Sequence, residues 1–507
     1  MYLVQYSMPF LPLLAGHHSN QNPHTSHSAP PGSTGHGAPP LPVPSQPAPI
    51  PAPTQALTFT STLPASYQQQ YILEEEEYNE AEQSHPAYYI EHSLNDSIAP
   101  FISSHQNGLV RHYLDHVLQR QYLLADTSIA EFIIRTVQRN PAVRDAVCLL
   151  ATLHQESLRQ SQHSLTAQPN ALVLHEPSSD SRKTYKRICD NLRTSAAGGY
   201  TEGEAMAGLF VVSAFLFKGG RGAWQQFLAV AAEWVWNVFN QTGADPAETI
   251  LRCTDSQQFV IKTTFWFDIL ASTTRLEPPR FINIYRRLWS RRRDAYIEDA
   301  AQHQPQPQHH PQSLLSMMSV MGCENETALA IAETSALAYW KETQQRQRTL
   351  SVPDLVDRGR RIEAEFLQQQ MQQPPAGGVL YPAGGADDLS AKRRLTADIF
   401  RATARVYLHS VLSGEHPGCP EIREGVRETI ECLRRVPVGG AGGRSSSVAR
   451  SVLRSVVFGV CLCGCLADDP EEHEFLLRRL DAEEQAEDVG NCASARLVMQ
   501  EVWNRRA

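Results

Sequence analysis

From about residue 84 onward, apolar residues recur three and four positions apart, and no run shows the strict alternation of a half-buried strand. In LVRHYLDHVL, residues Val110, Tyr113, Leu114 and Val117 fall on one helical face. Asn140 and Pro141 open a second helix, with Val143, Ala146, Val147, Leu150 and Leu153 on its buried side; asparagine caps free amides and proline at the first helical position loses no hydrogen bond. Thr201 and Glu204 have capping-box spacing at the start of TEGEAMAGLFVVSAFLFKGG, and Gly219 and Gly220 supply its stop. A helix starting near Asp255 carries FVIKTTFWFDILAS and must end before Pro278 and Pro279. Ser351, Pro353 and Asp354 start another, and Gly414 closes RATARVYLHSVLSG. These signals predict about ten to twelve helices in an all-α chain.

The connections are long and polar or glycine-rich: HSLTAQPNALVLHEPSSD, AQHQPQPQHHPQS, QQQMQQPPAGGVLYPAGGADD and PVGGAGGRSSS. Loop-closure entropy rises only slowly with length, so a helical array accommodates such insertions. No repeat period is visible, which argues against a regular solenoid. The expected architecture is an irregular multi-helix array of antiparallel helices with long polar loops, occupying residues 86–507. Residues 1–85 are rich in Pro, Ser, His and Gln and include the acidic run Glu74 to Glu77, a composition that predicts a disordered tail.

Composition narrows the function classes. The chain has 507 residues, 42% of them hydrophobic, enough for a large core. Its net charge of -9 argues against coating nucleic acid nonspecifically. No segment approaches the ~20 apolar residues needed to span a bilayer, and MYLVQYSMPFLPLLAG lacks the basic flank of a secretory signal. Ten scattered cysteines without such a signal read as reduced thiols inside the cell.

Candidate chemistry is sparse. VVFGVCLCGCLADDP holds Cys461, Cys463 and Cys465 near the end of an apolar helix, with Asp469 and Pro470 opening the next one. On a helix Cys461 and Cys465 share a face while Cys463 points elsewhere, so the three thiolates cannot converge on one ion and core packing is the expected role. His112 and His116 have i, i+4 spacing, but HYLDH lacks the glutamate of HExxH and no third ligand is evident. His17, His18, His24, His27 and His36 lie in the polar tail. The basic stretches from Arg286 to Arg293 and from Lys392 to Arg394 read as solvated helix faces, with phosphate contact or nuclear import as the alternative. No nucleophile elbow, phosphate loop or dinucleotide fingerprint occurs, so no catalytic, cofactor-binding, metal-binding or DNA-binding residue is nominated and an enzyme is not expected.

The series YYIEHSLNDSIAPFISSHQNGLVRHYLDHVLQRQYLLAD, NPAVRDAVCLLATLH, FWFDILASTTRLEPPRF, ENETALAIAETSALAYWK, IFRATARVYLHSVLSGEHPGCPEI and VVFGVCLCGCLADDPEEHEFLLRRL resembles the fungal-specific transcription factor domain. That domain is the helical regulatory region that accompanies Zn2Cys6 binuclear zinc clusters. The resemblance implies an all-α assembly over residues 86–507 and a proline-containing exit after the FWFDILAS helix, with Arg275 or Arg280 as candidate anchors. The family's zinc cluster needs six cysteines with C-x2-C spacing, yet the first cysteine here is Cys148 and no C-x2-C occurs. Zinc is therefore expected only if a cluster is encoded upstream, and DNA contact through that module or through a partner.

The resemblance thus implies a nuclear fungal transcriptional regulator of RNA polymerase II genes, acting through contacts within the regulator or with other transcription factors and coregulators. No membrane partner is expected, and a homodimer stays open. A helical protein-interaction scaffold without a direct DNA role is the alternative. A ligand-binding or enzymatic α-domain would require a concave apolar pocket with convergent polar groups.

Overall fold

In the computed structural model, residues 104–125, 128–164, 178–289, 315–367, 385–437, 452–486 and 490–506 are described. Among them the chain is helical throughout with no strand, in eighteen α-helices and two π-helical turns. The N-terminal half comprises α1 (Ser104–His112), a π-turn (Tyr113–Val117), α2 (Leu118–Gln121), α3 (Ser128–Arg139), α4 (Pro141–Ser164), α5 (Ser179–Ser195), α6 (Glu202–Phe217) and α7 (Gln225–Thr242). It continues with α8 (Pro246–Arg252), α9 (Asp255–Arg275), α10 (Ile282–Trp289) and α11 (Met318–Met321). The C-terminal half comprises α12 (Asn325–Arg346), α13 (Val352–Ile362) with a π-turn (Glu363–Leu367), α14 (Gly385–Ser413), α15 (Pro420–Arg434), α16 (Val457–Leu466), α17 (Pro470–Ala486) and α18 (Cys492–Arg506).

The helix signals hold at atomic detail. Thr201 and Glu204 form a complete capping box on α6, and Asn140 Oδ1 accepts from the amides of Ala142 and Val143 at 3.0 and 3.3 Å. Ser351 caps α13, and Asp469 Oδ1 accepts from Glu471 N at 2.9 Å at the head of α17. Gly219 and Gly220 take φ of 85° and 79° after α6, the left-handed conformation that reverses a helix end. The count exceeds expectation because short helices such as α2, α8, α10 and α11 span too few turns to show a periodic face. The expected tail, residues 1–85, lies outside the described residues, as do most of the long polar loops.

Two helices are apolar on every side and therefore must be wrapped. Helix α6 buries Gly203, every residue from Ala205 through Ala214, and Phe217, and packs between α4 and α7. Helix α16 buries nine of its ten residues and packs against α14, α15 and α18. Gly208 lets α6 approach α7 closely, since a Cβ there would lie 2.7 Å from Phe227 O. Helices α9 and α12 pack on each other and join the two groups. No helix among the described residues is long and apolar enough to cross a membrane.

Candidate functional site

A cavity of about 250 Å³ opens where α6, α9 and α16 meet. Helix α9 presents one face to it, with Thr263, Trp266, Phe267, Leu270, Ala271 and Thr274 at helical spacing. The end of α6 contributes Ser213 and Phe215, and the N-terminal segment contributes Arg120, Gln121 and Tyr122. From the C-terminal half come Arg454, Phe458, Cys461 and Ala495. Among the described residues that line the cavity are two arginines and no carboxylate.

The walls are braced from behind. Arg393 donates to Leu124 O at 2.9 Å and to Ser319 O at 2.6 Å, fastening the two segments that carry Tyr122 and Val320 to the cavity. Lys262 Nζ donates to Ser319 Oγ at 3.1 Å. Trp266 meets Phe400 edge-on at 5.2 Å, and Phe458 meets Tyr407 edge-on at 6.3 Å. Gln121 accepts from Tyr113 Oη at 2.6 Å and donates to Ser213 Oγ at 3.1 Å, so the polar rim is held by a hydrogen-bond chain. Gly490 N donates to Phe217 O at 3.0 Å and fixes the loop over which the Arg454 guanidinium packs. A Cβ at Gly490 would lie 2.9 Å from Arg454 Nη2.

Beside the Arg120 end stand three histidines. His112 Nε2 lies 2.9 Å from His154 Nδ1, and the His116 ring stacks at 6.4 Å from that of His154. Sequence spacing paired His112 with His116; the fold adds His154, which is only 2% exposed. The facing nitrogens of His112 and His154 share a proton with each other instead of converging on an ion. Burial, with Arg120, His112, His116 and Arg454 nearby, pushes the His154 imidazole down to about 4. His112 is lowered as well, first by burial and then by His116. Neither His112 nor His116 lines the cavity. The π-turn at Tyr113–Val117 places this cluster, and nothing in residue types or periodicity predicts such a turn.

The remaining candidates resolve into structure. Cys461, Cys463 and Cys465 are 0%, 0% and 1% exposed within α16, as core packing requires. Cys461 shares its face with Cys465, while Cys463 turns toward Thr403 and Thr429, and burial pushes its thiol up to about 12. All ten cysteines are single thiols of the helical region, and among the described residues no three His, Cys, Asp or Glu side chains are grouped to hold a metal ion. These donors do not fit a binuclear zinc cluster, which needs six converging thiolates.

Within the first basic stretch, Arg286 makes a two-pronged ion pair with Glu333, at 2.5 and 2.7 Å, and Arg287 pairs with Asp245 at 2.8 Å. They fasten α10 to α12 and to the cap of α8; Arg291, Arg292 and Arg293 lie outside the described residues. In the second stretch Arg393 serves the cavity wall as above. The histidines His17, His18, His24, His27 and His36 also lie outside the described residues. At the proline-containing exit, Arg275 pairs with Glu277 at 3.0 Å on the surface. The deep anchor is Asp268, which accepts from Tyr285 Oη at 2.8 Å and Phe281 N at 3.3 Å.

Sequence reasoning missed Arg120, Arg454, Thr263 and His154. A usable signal existed for Arg454, a single charge inside the apolar run SVLRSVV, and for His154, which continues the buried stripe of Val147 and Leu150. Thr263 offered none.

A family profile described as "Fungal specific transcription factor domain" matches residues 108–507. Among curated proteins, the trichothecene biosynthesis transcription regulator of Trichoderma arundinaceum is 30% identical over 193 residues, 38% of this chain and 40% of that protein. The corresponding regulator of Fusarium sporotrichioides is 25% identical over the same shares of both chains. The ustiloxin B cluster transcription factor of Aspergillus flavus is 24% identical over 36% of this chain and 30% of that protein. The matched segments thus span two fifths or less of the length of these relatives. No solved structure matches.

Proposed function

The chain belongs to the fungal-specific transcription factor domain family, and on that footing we propose that it is the regulatory region of a nuclear, pathway-specific transcriptional regulator. The observation that carries this reading is the profile match from residue 108 to 507, together with relatives whose names are those of biosynthesis regulators. The described helices support it by forming a packed all-α array, the architecture that the resemblance implies. Regulation proceeds through contacts with other transcription factors or coregulators. DNA contact is supplied by a zinc cluster encoded upstream or by a partner, because base readout needs an element built to enter a groove.

The test is to tether residues 1–507 to a heterologous DNA-binding domain in a fungal host, with a reporter gene downstream and a fluorescent tag on the chain. A change in reporter output of several fold, with the tag in the nucleus, is expected. Unchanged output with the tag confined to the cytoplasm would replace this reading by the scaffold. Sequencing the 5′ end of the transcript then separates the two sources of DNA contact: an in-frame six-cysteine segment assigns it to this gene product, and its absence assigns it to a partner.

A further inference from the structure

Arginine stands three positions before five serines or threonines of this chain: Ser290, Thr349, Ser351, Thr396 and Ser447. Only Ser351 has a second arginine five positions before it, in RQRTLS from Arg346 to Ser351. Serine/threonine kinases choose acceptors by such charge patterns, because carboxylates in the kinase groove pair with arginines upstream of the hydroxyl. The fold then sorts the candidates. Thr396 is 0% exposed within α14, and Ser290 and Ser447 lie outside the described residues. Ser351 lies in the short connection from α12 to α13, where every residue from Arg346 to Pro353 except Leu350 is exposed. Val352, directly after the serine, is 62% exposed.

Neither arginine is needed where it stands for the fold. The Arg346 side chain is 74% exposed and pairs only with Glu342 one turn back on α12, an exposed pair of the kind that adds little stability. Arg348 has a φ of 59°. It occupies the left-handed position of the turn that closes α12, where Thr349 N donates to Gln344 O at 2.9 Å and Arg348 N to Gln345 O at 3.0 Å. Glycine suits that position and a side chain is strained there. No described residue pairs with the Arg348 guanidinium. Folding thus gives no reason for an arginine at 348, whereas recognition of the segment does. Ser351 itself is extended, with φ -91° and ψ 113°, and its Oγ is held by one long bond, accepting from Asp354 N at 3.3 Å.

We propose that Ser351 is a phosphorylation site for an arginine-directed serine/threonine kinase that reads Arg346 and Arg348. Ser351 Oγ attacks the γ-phosphorus of ATP and forms the new O–P bond. The bond from that phosphorus to the β,γ-bridging oxygen breaks, its electron pair leaves with ADP, and the hydroxyl proton passes to the catalytic carboxylate of the kinase. The product places about two negative charges at the N-terminus of α13. Transfer to the purified chain does not depend on the regulatory reading above, so the two fail separately.

The test incubates the purified full chain with the catalytic domain of protein kinase B and ATP, and maps the phosphate by tandem mass spectrometry. Phosphate on Ser351 is expected, with Thr349 and Thr396 unmodified, and Ser351→Ala should remove it. Arg346→Gln and Arg348→Gly should each slow transfer about tenfold or more, the loss of one charge-assisted contact. Because glycine relieves the left-handed strain, the melting temperature of Arg348→Gly should hold or rise while its transfer slows, which separates recognition from folding. The proposal is overturned if Ser351 of the folded chain stays unmodified, whether or not a synthetic peptide of residues 341–356 is phosphorylated. It is equally overturned if the phosphate lands on Thr349 instead, or if both arginine variants react at the rate of the unsubstituted chain.

Discussion

The carboxylate of Asp268 accepts a hydrogen bond from Tyr285 Oη at 2.8 Å in an interior where the two residues are 4% and 0% exposed. The pair closes the turn between α9 and α10, and Phe281 N adds a second donor at 3.3 Å. Burial raises the Asp268 carboxyl above its ordinary range, with these donors opposing the rise. Tyr285→Phe removes one donor from a buried carboxylate and should cost about 1–3 kcal/mol. A shift of the urea midpoint with an unchanged slope is the expected reading; an unchanged midpoint would remove the pair from the list of structural anchors.

Burial makes the thiols of α16 inert. Cys463 is held near 12, and Cys461 is raised well above its ordinary value by Cys465 and by burial. Under native conditions at pH 8, iodoacetamide should leave Cys461, Cys463 and Cys465 unmodified, and all three should react after denaturation. Peptide mapping by mass spectrometry checks this; labelling of the three in the native protein would mean that α16 opens readily.

His154 makes stability pH-dependent on the acid side. Its folded value of about 4 lies below the ordinary 6.5, so the unfolded chain binds the proton first as pH falls. Stability is therefore fully present above 6.5 and lost as pH falls from there toward 4, at no more than about 1.4 kcal/mol per pH unit. The basic groups near the ring are Arg120, Arg454, His112 and His116. Denaturation midpoints at pH 7.5 and 5.0 should differ less in His154→Asn than in the unsubstituted chain.

Glu415 slopes the other way. Burial pushes its carboxyl up to about 8, against the pull of Arg506 and Lys341, and its Oε1 has no hydrogen-bond partner among the described residues. A carboxyl with a raised folded value contributes stability that is present below 4.5 and lost as pH rises through 8. Glu415→Gln should flatten that slope and raise the melting temperature at pH 8.5. A variant less stable than the parent at that pH would contradict the assignment.

Two glycines separate rigid from yielding contacts. A Cβ at Gly208 would lie 2.7 Å from the backbone oxygen of Phe227, whereas one at Gly464 would lie 2.3 Å from Met499 Cε, the tip of a flexible side chain. Gly208→Ala must push α6 from α7 and should cost about 1–3 kcal/mol. Gly464→Ala should cost less, because Met499 can change rotamer. Comparing the two midpoints checks the difference directly.

What the amino-acid order determined by itself was the helical class and the helix ends, and the reason is local. Caps such as Thr201 with Glu204, or Asn140 before Pro141, act over three or four residues, and periodic burial shows as spacing. The role of the Cys461 trio was equally legible, since helical geometry alone keeps Cys463 off the face of its neighbours. The meeting of residues far apart in the chain was not. Arg120, Thr263 and Arg454 line one cavity because α2, α9 and the segment entering α16 converge on it, and His154 joins His112 because α1 packs on α4. Each of these residues is ordinary where it stands in sequence. Only burial beside distant partners changes its protonation or leaves its hydroxyl unpaired.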